Sequence, residues 1–138
     1  MITPSAKIYL SNSKNPKAGR GVFAAKDIEA EEVIEVSPVV VTTTEDYRYL
    51  RETTLRNYYF MWGDEEPKKV AICLGYGSLF NHSYKPNATY KKRINDQVIE
   101  FIALQPIKKD EEISVNYNYG RPDDKTTLWM NDIDPYGE

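Results

Sequence analysis

Along this chain, short β-branched or aromatic runs alternate with polar breaks carrying Gly, Pro and Asn, a pattern that predicts many short strands and little helix. Lys7-Ile8-Tyr9-Leu10 predicts a first strand, closed by the breaker-rich residues 12–19. Val22-Phe23-Ala24-Ala25, entered through Gly19-Arg20-Gly21, predicts a second. Residues 26–32 form a charged turn. Residues 33–41 are rich in Val and Ile and predict a third strand, in which Pro38 marks an edge or a break.

Thr44-Glu45-Asp46 predicts the cap of a short helix running to Leu50. Residues 55–62 predict an aromatic strand, 63–67 an acidic turn containing Asp64, Glu65 and Glu66, and 70–74 another strand. Residues 88–90 and 98–104 predict a hairpin closed around Asn95-Asp96. Ile113-Ser114-Val115-Asn116-Tyr117 alternates as a last strand, ended by Asn118-Tyr119-Gly120. The tail from Arg121 adds the isolated rings Trp129 and Tyr136.

Size and composition narrow the class. The 138 residues suffice for one domain with one core, and 41% apolar with 28% charged residues is the balance of an ordinary globular chain. A net charge of −3 gives no broad basic face, which argues against direct nucleic-acid binding, and Lys91-Lys92-Arg93 is too short to reverse that. With one cysteine, Cys73, there is no internal disulfide and no Cys-rich zinc cluster, and Cys73 reads as a small core residue. No run reaches the ~18 apolar residues of a membrane span, and no signal core is visible, so the expected setting is cytoplasmic or nuclear. Eleven tyrosines against four phenylalanines exceed what a plain core needs, because each buried phenol wants a partner, and so predict a tyrosine-lined surface.

Rare residue types crowd into Asn81-His82-Ser83-Tyr84-Lys85-Pro86-Asn87, which holds the only histidine. Taken alone these are turn formers. Together with Gly19-Arg20-Gly21-Val22-Phe23 before it and Glu111-Glu112-Ile113-Ser114-Val115-Asn116-Tyr117 after it, the ordered trio resembles the SET domain of protein-lysine methyltransferases. The resemblance covers about residues 7–120 of a single domain spanning 1–138, with 121–138 as a tail. It implies a mainly β fold of small twisted sheets (the β-clip) in which the C-terminal segment threads past an earlier loop, an exception to unthreaded connections. A peptide-binding module that keeps the fold but transfers nothing is the alternative; intact Gly21, Asn81 and Tyr117 argue against it.

The resemblance implies S-adenosylmethionine as methyl donor, with Arg20 and Gly21 offering backbone groups, Asn81 accepting from the donor's amino group and the backbone of His82 reading the adenine. A lone histidine with no second ligand makes neither a metal site nor, by this resemblance, a catalytic base. Tyr117 is the implied catalytic residue and also touches the donor. Tyr90 and Tyr119 are implied channel rings for the substrate lysine; Tyr76, Tyr58 and Tyr59 are further candidates. Ser37 stands where some members carry a channel tyrosine. Trp129 or Tyr136 either lies over the adenine or completes the channel, or else belongs to a loose acidic tail. The substrate would be a lysine-bearing protein, a histone tail among the candidates, bound as an extended strand at a sheet edge.

The chemistry sets its own demand. A free lysine, with pKa ~10.4, is almost wholly protonated near neutrality and has no lone pair to attack a methyl group. Burial in an aromatic channel beside a sulfonium cation favours the neutral amine through desolvation and like-charge repulsion.

Overall fold

The computed structural model describes residues 1–63, 66–118, 120–126 and 128. Trp129, Tyr136, Tyr119, Asp64 and Glu65, singled out above, lie outside the described residues.

Among the described residues, nine strands form two sheets. The first has the order β1-β2-β9-β6, built from Ile8–Asn12, Arg20–Ala24, Glu112–Val115 and Asn81–His82; the second, β4-β5-β3-β8-β7, is built from Tyr59–Trp62, Lys69–Cys73, Val33–Val41, Val98–Ala103 and Ala88–Arg93. Neighbours pair antiparallel except β6 and β9, which run parallel through Asn81↔Ser114 and His82↔Val115. That pairing brings two predicted motifs side by side, with β9 between β2 and β6.

The core lies between the sheets. Phe80 and Phe101 stack at 4.5 Å, and Val22, Ile99, Ile113 and Val115 are each at most 1% exposed. Burying each such side chain contributes about 1.5–3 kcal/mol, which is why the alternating apolar positions of β8 and β9 face inward, while β2 is buried continuously from Gly21 to Ala24. Cys73 is a core residue, as expected, and burial pushes its thiol up to about 12, far from a reactive thiolate.

Three elements differ from the sequence reading. The strand containing Pro38 is neither broken nor at an edge: β3 is continuous and central. Pro38 lies one residue beyond the β5 register, which ends at Val39↔Cys73, so the missing N–H falls where the ladder has stopped, while the Pro38 carbonyl accepts from Leu74 N at 2.9 Å. Of residues 55–62 only Tyr59–Trp62 is strand; the Thr53 hydroxyl accepts from Leu55 N and starts a 3-10 helix over Thr54–Asn57 instead. The last strand stops at Val115, for a reason that belongs to the site. The short helix α1, Thr44–Leu50, is present, with Thr43 as its N-cap in a capping box with Asp46.

Candidate active site

The site begins with a hydrogen bond that ends a strand. Tyr117 N–H donates to Nδ1 of His82 at 3.0 Å rather than to a neighbouring strand, and Asn116 Oδ1 accepts from Asn118 N at 2.9 Å. Asn116 is fully buried and its Nδ2 donates to the Asp124 carbonyl at 2.7 Å. These side chains take the backbone's hydrogen bonds, so β9 gives way to a turn at Tyr117. The His82 ring, 1% exposed, must therefore carry a lone pair on Nδ1, which makes it a structural acceptor.

On the other side of the ring, the Tyr117 hydroxyl donates to the Phe80 carbonyl at 2.6 Å. Burial pushes this phenol further above the usual tyrosine range, and Tyr58, Tyr90 and Glu112 push in the same direction, so it stays neutral. Its proton is committed to Phe80, and its oxygen keeps lone pairs for the cavity it lines. That cavity, about 400 Å³, is walled by Tyr58, Tyr59, Phe60, Tyr90, Tyr117 and Leu128, among others. Tyr90 packs edge-on to Phe60 at 5.1 Å. Behind Tyr90, Gly120 has φ +72°, and a Cβ there would lie 3.1 Å from the Tyr90 carbonyl oxygen, so only glycine fits without displacing the ring.

Next to Phe80, Asn81 turns the other way. Its Nδ2 donates to the Arg20 carbonyl and to Glu112 Oε2, both at 2.9 Å, leaving Oδ1 without a hydrogen bond among the described residues. Glu112 in turn accepts from Ser13 Oγ at 2.9 Å and from Lys14 N at 3.1 Å. Gly21 is buried beneath this cradle: a Cβ on it would collide with Glu112 Oε2 and lie 3.0 Å from Asn81 Nδ2. Arg20 contributes its backbone carbonyl.

The motif's last residue also works on backbone. Asn87 Nδ2 donates to the Glu112 carbonyl and its Oδ1 accepts from Ser114 N, both at 2.9 Å, pinning β9 beside the histidine-bearing bend. A strap of residues 121–126 and 128 covers the same bend. Tyr84 Oη and Asn118 Nδ2 both donate to the Thr126 carbonyl, at 2.9 and 2.8 Å, and Lys125 Nζ donates to the Tyr84 carbonyl at 2.7 Å. The strap carries Thr126 and Leu128 into the cavity wall.

Gly21, Asn81 and the Arg20 carbonyl thus meet in one cradle, and Tyr117 and Tyr90 share one cavity. Tyr76 does not line that cavity; it walls a separate one on the other side of the turn, and Ser37 bonds Glu35 beneath it. Sequence reasoning missed the roles of Asn87, Glu112, Asn116 and the Phe80 carbonyl. The first three stand inside or beside the quoted motifs, so proximity to a motif was the available signal; a backbone carbonyl leaves none.

Residues 19–118 match the SET domain. The chain belongs to the SET-domain family. A Schizosaccharomyces pombe relative, the histone-lysine N-methyltransferase specific for H3 lysine 37, is 37% identical over 118 residues, covering 85% of this chain and 78% of its own length. A crystal structure of a Plasmodium falciparum candidate histone methyltransferase superposes with a TM-score of 0.64 at 31% identity, covering 87% of this chain and 98% of the other. Chaetomium thermophilum polycomb repressive complex 2 bound to S-adenosylmethionine shares the fold, with a TM-score of 0.66 at 23% identity over 86% of this chain and 16% of that one. In SET-domain terms, the curled sheets and the parallel β6–β9 contact are the frame that joins the cradle to the cavity. Among the described residues no helix is long and apolar enough to cross a membrane.

Proposed function

We propose that this SET domain transfers methyl groups from S-adenosylmethionine to the side-chain amine of lysine in a protein, with a histone tail as the substrate class and the nucleus as the compartment. The observation that carries the reading is the Tyr117–Phe80–Asn81 junction. One residue offers its carbonyl to the phenol in the cavity, and the next presents its amide to the glycine cradle.

The residues fit the donor. Gly21 lets the Asn81 and Glu112 side chains close onto β2 where a Cβ would collide with them, and the open Asn81 Oδ1 and nearby backbone would accept from the donor's ammonium group. When bound, S-adenosylmethionine supplies a methyl group on a sulfonium centre. The chain's part is to deliver a neutral amine in line with it. The aromatic cavity strips water from the incoming ammonium, which lowers its pKa, so no general base is needed at the reacting atom. Tyr117 keeps a neutral oxygen fixed by Phe80, able to contact polarised methyl hydrogens without becoming a nucleophile. Tyr90 holds the lysine stem, and β4, at the edge of its sheet, offers main-chain bonds to an extended peptide.

The test is incubation with donor carrying an isotopically labelled methyl group and a panel of core histones, read by tandem mass spectrometry. The expected result is label on a lysine side chain. Donor binding without label on any lysine would leave the non-catalytic module as the better account.

A further inference from the structure

We propose that the chain has a second recognition site, apart from the Tyr117 cavity, that takes an alkylammonium or alkylguanidinium group such as a lysine or arginine side chain carries. A cavity of about 460 Å³ lies between the N-terminal segment, β3 and the turn that precedes the 3-10 helix Gly77–Leu79. Ile2, Pro4, Ile8, Val36 and Pro38 give it apolar walls, and Glu35 gives it an acidic floor. No lysine or arginine lines it among the described residues.

Glu35 is 8% exposed. Its Oε2 accepts from Ser37 Oγ at 2.5 Å and from Tyr76 N at 3.1 Å, whereas Oε1 accepts no hydrogen bond among the described residues. A buried carboxylate is costly unless paired. Two hydrogen bonds on one oxygen offset part of that cost, and the open oxygen is where a cation offsets the rest. Burial pushes the carboxyl pKa up, as expected for an acid still short of a positive partner. The apolar walls suit a methylene stem with a charged end, since lysine and arginine bury their stems along such surfaces. The volume falls within the range of small-ligand sites.

This inference stands independently of lysine methylation. The turn nevertheless joins the two cavities, because Tyr76 walls this one while Gly77 and Ser78 wall the one at Tyr117.

The experiment is amide NMR on the full chain, following Ile8, Gly75 and Tyr76, with n-butylguanidinium and its neutral isostere n-butylurea as probes. The expected result is a saturable shift of these signals with the guanidinium alone, weakened at least tenfold in Glu35→Gln. Equal response to both probes, or to neither, overturns the proposal, as does an undiminished response in a folded Glu35→Gln. Should that variant not fold, the two probes on the unaltered chain still decide. A short peptide with one arginine and no lysine, against its citrulline counterpart, distinguishes the sources. Response to the arginine peptide assigns the site to a protein side chain; response to the small cation alone assigns it to a free amine or guanidine.

Discussion

The Tyr117 hydroxyl sits 2.6 Å from the carbonyl oxygen of Phe80, a residue 37 positions earlier, while the Tyr117 amide donates to the next-but-one residue, His82. Both ends of one tyrosine are thus tied to a single bend, which fixes where the phenol points.

Tyr117→Phe removes the hydroxyl and keeps the ring. Methyl transfer is expected to fall by about 10²–10³, the scale of losing one oriented polar group at a reacting centre, with donor affinity within twofold of the unaltered chain. Single-turnover transfer and calorimetric donor titration check this; unchanged turnover would remove Tyr117 from its role.

His82→Leu takes away the acceptor of a buried N–H. An unsatisfied buried donor costs about 1–3 kcal/mol, so thermal unfolding should shift down by several degrees, with a drop in turnover as Tyr117 loosens. If stability holds, Tyr117 N has found another partner.

Gly21→Ala places a methyl group against the Glu112 carboxylate. That carboxylate is held by Ser13, Lys14 and Asn81, so it cannot simply swing aside. Donor affinity, measured by calorimetry, should weaken at least tenfold by the scale of about 1.4 kcal/mol per decade, with the circular-dichroism spectrum retained.

The phenol of Tyr117 titrates above its ordinary value of 10.0 in the fold because burial disfavours the phenolate. Its stabilising contribution is therefore complete below pH 10 and declines as pH rises through the higher folded value. Denaturant midpoints should fall above pH ~10, and this alkaline decline should shrink in Tyr117→Phe. Turnover between pH 7 and 9 should show no loss from Tyr117 ionisation.

Tyr84→Phe breaks one of the two hydrogen bonds on the Thr126 carbonyl. The strap carrying Leu128 then seals the cavity less well, and the peptide KM should rise several-fold, the effect of about 1 kcal/mol, with donor affinity unchanged. Equal weakening of both would assign Tyr84 to the fold instead of the cavity wall.

The strand pattern, the place of the hairpin, the glycine pair, the Asn-His bend and the terminal tyrosine were legible in the sequence, because alternation and turn chemistry are local. Local signals also misled: Pro38 marks an edge only if its missing N–H faces a continuing ladder, and residues 55–58, read as part of an aromatic strand, suit one only if a neighbour pairs with them. The sequence alone determined which residue types stand in the glycine pair, the Asn-His bend and the terminal tyrosine. Only the tertiary structure decided that Tyr76 faces away from the Tyr117 cavity while Leu128 faces into it. It also decided that a carbonyl, invisible in any residue list, holds the phenol. The physical reason is that direction and partnership at a site depend on hydrogen bonds between segments far apart in the chain, and these exist only once β9 has settled against β6.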